Sequence, residues 1–120
     1  HRYFMSREFH WVCDNMAKTE EGKIMAEDMI DAIMISIKSF KTKIPASATV
    51  MSDEELKSIQ IPVLYMAGEN EKMLSVPNAV KRLDSLAPDI ETEIIPNAGH
   101  DLIFLHPNIV NEKILDFLKN

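Results

Sequence analysis

The pattern of apolar and polar positions divides the chain into two textures. Residues 1–60 carry apolar residues at spacings of three and four, whereas residues 61–120 alternate short apolar runs with helical stripes. In the first half the clearest stripe covers 23–40, where Ile24, Met25, Met29, Ile30, Ile33, Met34, Ile37 and Phe40 recur at helical spacing. The stripe is wide, so it predicts a helix that packs on more than one side. Gly22 is expected to end or separate helices. Pro45 marks a polar connector over 41–51. The run SDEELKSI then opens a helix with a capping box, Ser52 and Glu55, and offers Leu56 and Ile59 as its apolar contacts.

In the second half IPVLYMAG, 61–68, is almost continuously apolar between Pro62 and Gly68, the pattern of a parallel strand buried on both faces. Residues 75–87 read as a helix with Ser75 as N-cap, Pro77 in the first turn and Pro88 as the stop. Val76, Ala79, Val80, Leu83, Leu86 and Ala87 share its apolar face. IETEII, 90–95, alternates isoleucine and threonine with glutamate, which predicts an edge strand whose charges discourage mispairing. A last helix starts at Pro107 and buries Val110, Ile114, Phe117 and Leu118.

Residues 61–118 therefore read as strand, helix, strand, helix. Two strands joined through a helix are expected to be parallel with a right-handed crossover. Both then end at one edge of the sheet, and ligands of open parallel sheets sit beyond such carboxyl ends. The segment after the first strand is GENE, 68–71; the segment after the second is NAGH, 97–100. The topology alone brings a carboxylate loop beside a histidine loop.

A histidine oriented by a carboxylate is the base half of a nucleophilic triad. His100 is the candidate base. Glu69 and Glu71 are both candidates for the carboxylate, and local geometry does not separate them. Asp101 is a weaker candidate, because adjacency in sequence points its side chain elsewhere. A metal site from His100, Asp101 and His106 fits no familiar ligand spacing. His1 and His10 have no evident partner, and His106 reads as a helix-entry residue. The aromatic residues Tyr3, Phe4, Phe9 and Trp11, and the run from Leu102 to Leu105, read as packing or as pocket wall.

Composition narrows the class. At 120 residues, with 46% hydrophobic and 27% charged residues, the chain is a globular domain. The net charge of −6 leaves no basic patch for phosphates and argues against nucleic acid. The single cysteine, Cys13, excludes an internal disulfide framework and suits a reducing, cytoplasmic setting. The richest apolar stretch, MIDAIMISI, is cut by Asp31 and too short to span a membrane.

IPVLYMAGENEKM, IIPNAGHDLIFLHPNIVNEKILDFL and the upstream SDEELKSI together resemble the C-terminal part of the α/β-hydrolase fold family. The resemblance covers 52–118 and implies an α/β fold in which a helical cap segment, 1–51, precedes a β-α-β-α portion of the core, 52–120. It places the family's catalytic histidine on His100 and its acid on Glu71, the fourth residue of Gly68-Glu69-Asn70-Glu71, where many members carry aspartate. It implies a serine-type hydrolase of small ester-like substrates that needs no cofactor and no metal.

The family's Gly-x-Ser-x-Gly nucleophile motif does not occur in these 120 residues. The sequence, which opens without methionine, is therefore expected to be the C-terminal portion of a longer hydrolase. Alone it is expected to be inactive, and to self-associate through an exposed sheet edge and apolar face. The alternative is a hydrolase-like shell retained as a non-catalytic binding or assembly module.

Overall fold

The computed structural model describes residues 1–41 and 49–119. The predicted connector, 41–51, lies largely outside the described residues. The chain divides into two compact units, His1–Thr49 and Val50–Asn120.

The first unit is helical. Helix α1 (Arg2–Val12) is followed by a 3₁₀ turn (Met16–Lys18) and helix α2 (Glu20–Ser39). Thr19 caps α2 by accepting the Gly22 N–H at 3.0 Å, and Glu20 and Glu21 place negative charge in its first turn, where the helix dipole favours it. Gly22 thus lies inside the first turn of α2 and does not end a helix. Its role is close approach: a Cβ there would stand 2.2 Å from the Met16 carbonyl oxygen. Gly22, Ala26 and Ile30, four residues apart, form the buried face of α2, while Cys13 and Met16 are buried in the same unit. The predicted wide stripe is covered only in part. Ile24, Met25, Ile37 and Phe40 remain exposed.

The second unit begins with the short helix α3 (Asp53–Lys57). Its capping box is complete: Ser52 Oγ accepts the Glu55 N–H at 3.2 Å, and Glu55 Oε2 accepts the Ser52 N–H at 2.6 Å. Strand β1 (Leu64–Gly68), helix α4 (Val76–Leu86), strand β2 (Glu91–Ile95), the four-residue α5 (Leu102–Leu105) and helix α6 (Pro107–Phe117) follow. The strands pair in parallel, from Leu64 opposite Glu91 to Gly68 opposite Ile95. Pro77 and Pro107 each lie in the first turn of their helices, where a missing N–H costs nothing.

Because side chains alternate along a strand, one face of the sheet presents Met66, which packs on a core of Ile95, Ala98, Leu102 and Val110. On that face Lys113 of α6 donates to Glu93 of β2 at 2.7 Å. Arg82 of α4 ties the unit's start to its helix layer, donating to Asp53 at 2.7 Å and to the Met51 carbonyl at 2.6 Å. Of the predicted α6 stripe only Val110 is buried; Ile114 and Leu118 are exposed. Among the described residues β1 has β2 as its one strand neighbour. No helix among them is long and apolar enough to cross a membrane.

Candidate active site

The parallel register brings the last residues of both strands level, Gly68 opposite Ile95, so the two following loops leave the sheet side by side. They are then stitched together through the backbone. The Glu69 N–H donates to the Ile95 carbonyl at 2.9 Å, and the Asn70 N–H to the Ala98 carbonyl at 2.8 Å. Gly68 permits this approach, since a Cβ there would lie 2.4 Å from the Ala98 carbonyl oxygen and 2.6 Å from that of Gly99. The β2 loop turns at Asn97, which adopts the left-handed region at φ 57°, a conformation asparagine tolerates better than most residues. Ala98, Gly99, Asp101 and Leu102 are buried on either side of His100.

On this base His100 presents its ring at the surface, its side chain 45% exposed. Its Nδ1 lies 2.7 Å from Glu71 Oε2. The other Glu71 oxygen, Oε1, accepts the Met73 N–H at 2.7 Å. The Glu71 side chain is only 8% exposed. Burial pushes its carboxyl up, but hydrogen bonds from the Met73 N–H and from His100, the charge of His100 and the Lys72 N–H outweigh it, and the net direction is down. Glu71 is therefore a carboxylate at neutral pH. A carboxylate only accepts, so the ring nitrogen facing it is Nδ1–H, and in the neutral imidazole Nε2 is left as the free base. Burial, and then the Glu71 charge, hold the Tyr65 phenol above its usual range. Its hydroxyl oxygen is buried and has no hydrogen-bond partner among the described residues.

Spacing left Glu69 and Glu71 open; the structure puts Glu71 on the histidine. Glu69 instead reaches the other loop, where its Oε2 accepts the Asn97 N–H at 3.0 Å. Asp101 is almost wholly buried, at 1% exposure. His106 joins α5 to α6, its N–H donating to the Leu102 carbonyl at 2.8 Å and its carbonyl accepting the Val110 N–H at 3.1 Å. His10 does have a partner, contrary to expectation: Nε2 lies 3.1 Å from Glu27 Oε1, across the packed pair α1 and α2. Among the described residues no group of three or more histidine, cysteine, aspartate or glutamate side chains could hold a metal ion. Sequence reasoning missed the contributions of Asn97 and Gly68. The signal for the first was an asparagine in a short turn directly after a strand.

No family model matches the sequence. Over 69 residues, 58% of this chain, it is 49% identical to Carboxylesterase YbfK of Bacillus subtilis (strain 168), of which the match covers 23%. Over 68 residues, 57% of the chain, it is 44% identical to the "Uncharacterized carboxylesterase nap" of the same organism, again over 23% of that protein. The crystal structure of carboxylesterase CesB (YbfK) from Bacillus subtilis aligns with a TM-score of 0.59 at 44% identity, covering 68% of this chain and 28% of that one. The chain spans about a quarter of the length of the curated relatives it matches. Similarity in sequence and in fold, with two parallel strands and helices in the expected order, gives this chain the fold of the C-terminal part of an α/β-hydrolase.

Proposed function

We propose that this chain supplies the acid and histidine half of a serine-type ester hydrolase, as the C-terminal part of its fold. The observation that carries the reading is the buried Glu71 carboxylate 2.7 Å from His100 Nδ1, at the carboxyl edge of two parallel strands. In this reading His100 Nε2 takes the proton of a serine hydroxyl as that oxygen attacks the ester carbonyl. The protonated ring then returns the proton to the departing alkoxide, and the same ring activates water to release the acid. Glu71 stays ionised throughout. It fixes the Nδ1–H tautomer and stabilises the imidazolium. The serine comes from sequence outside these 120 residues, none of which forms a Gly-x-Ser-x-Gly elbow.

The carboxylesterase relatives support small esters as the substrate class. The chemistry requires no cofactor. The helical first unit fits the role of a cap segment, its exposed Ile24, Ile37 and Phe40 offering apolar surface. The lone cysteine supports a reducing, cytoplasmic location. Exposed Ile103, Phe104, Ile114, Leu115 and Leu118 support self-association of the chain in isolation. A stable monomer in light scattering contradicts that last point.

The test is kinetic. In the complete hydrolase, His100→Ala is expected to lower kcat on activated esters by about 10⁴-fold or more, and Glu71→Gln by roughly 10³–10⁴-fold through the wrong tautomer. The 120-residue chain alone is expected to be inactive. Unchanged turnover in the His100→Ala enzyme contradicts the catalytic assignment, and ester hydrolysis by the isolated chain contradicts the division of labour.

A further inference from the structure

The loop after β1 carries two glutamates, and they reach different targets on the opposite loop. Glu71 takes the ring of His100. Glu69 takes the backbone of Asn97, three residues earlier, at 3.0 Å. Asn97 is the one non-glycine residue with positive φ among the described residues. Its conformation sets the direction in which the chain leaves β2 for His100. Ala98 and Gly99, which lie between, are buried, so the loop has no slack to correct an error made at Asn97. A change of turn geometry passes directly to the imidazole, whose bond to Glu71 is short and tolerates little displacement.

We infer that Glu69 is a positioning residue for His100: its carboxylate clamps the Asn97 turn and so presents the ring to Glu71. This deepens the reading above and rests on it. The backbone bonds from Glu69 and Asn70 to Ile95 and Ala98 can be made by any residue pair, and they hold the two loops together at the level of the strands. The Glu69 side chain adds a bond to the turn itself. Glu69 is exposed, so its charge acts weakly at the distance of the ring. It acts through a hydrogen bond, which a glutamine oxygen also accepts.

That distinction makes the inference testable in the 120-residue chain by nuclear magnetic resonance. Two signals are followed, the hydrogen exchange of the Asn97 amide and the low-field Nδ1 proton of His100. Glu69→Ala is expected to speed Asn97 exchange roughly tenfold and to broaden or abolish the Nδ1 proton signal, with circular dichroism unchanged. Glu69→Gln is expected to restore both signals. Glu71→Gln is expected to abolish the Nδ1 signal while Asn97 exchange stays slow. An intact Nδ1 signal in folded Glu69→Ala overturns the inference, as does a Glu69→Gln variant that behaves like alanine. If Glu71→Gln also leaves the Nδ1 signal intact, the His100–Glu71 pairing itself fails, so the two failures are told apart.

Discussion

Among the described residues there are two histidine–glutamate pairs, one in each unit, and they differ in almost everything except their chemistry. His10 and Glu27 meet at 3.1 Å on a helical surface, with side chains 35% and 49% exposed. Glu27 also binds Arg2 at 2.7 Å, so its charge is shared and solvated. His100 and Glu71 meet at 2.7 Å, and here only the histidine is exposed. The Glu71 side chain is almost covered and is held by the Met73 N–H. The first pair is a surface ion pair between helices, of a kind worth little. In the second an exposed histidine ring is held at one nitrogen by a carboxylate that is almost covered. A histidine beside a carboxylate is therefore not in itself a candidate base. What distinguishes His100 is that its partner carboxylate is almost covered and is held by a backbone amide.

The strongest way to break the contrast is to push the two loops apart. Gly68→Ala puts a methyl group against the Ala98 and Gly99 carbonyls, and is expected to destabilise the second unit by about 1–3 kcal/mol and to abolish the His100–Glu71 bond. Gly22→Ala makes the same kind of clash against Met16 in the first unit, and is expected to leave that bond intact. Chemical denaturation with resonance assignments in both variants checks the pair of outcomes.

Removing each carboxylate's charge comes next. Glu71→Gln leaves a buried site with poorer partners and is expected to cost about 1–3 kcal/mol. Glu27→Gln, at an exposed pair, is expected to fall within about 0.5 kcal/mol of the parent. Equal costs in urea denaturation contradict the comparison.

Acid separates Glu71 from an ordinary glutamate in the same direction. Its folded carboxyl titrates below the usual value of 4.5, so the folded state binds the proton less readily than the unfolded chain does. The associated stability is complete above that usual value, declines below it, and is lost as pH falls through the lowered folded value. Melting curves from pH 6 downward are expected to show this loss, and Glu71→Gln to remove its share of the slope. A Glu71 carboxyl signal titrating at or above the usual value contradicts the account.

A smaller effect than at Gly68 or Glu71 is expected at the turn. Asn97→Ala places alanine in the left-handed region and is expected to cost about 1 kcal/mol, whereas Asn97→Gly is expected to be close to neutral in thermal denaturation.

Much of this arrangement was legible in the residues. Pro62 and Gly68 bound the first strand, glutamate alternation marked the second, and Pro77, Pro88 and Pro107 delimited the last long helices, because each residue restricts the backbone locally. Helix α5 was not legible, since four consecutive apolar residues carry no period. The start of α2 was misjudged because Gly22 reads as a breaker, although Thr19 beside two glutamates is a cap. Periodicity also shows which residues share a face without showing what covers it, which is why Ile37, Ile114 and Leu118 are exposed where burial was expected. At the site, the strand order brought the correct loops together. The choice between Glu69 and Glu71 depended on side-chain direction within one loop, and the partner of His10 lay seventeen residues away on another helix.

The protonation pattern of the His100 ring tests the central claim most directly. Long-range ¹H–¹⁵N correlation at a pH where the ring is neutral is expected to show Nδ1 carrying the hydrogen and Nε2 as the unprotonated base, and to lose that pattern in Glu71→Gln. A neutral His100 that carries its hydrogen on Nε2, or one indifferent to Glu71→Gln, contradicts the account.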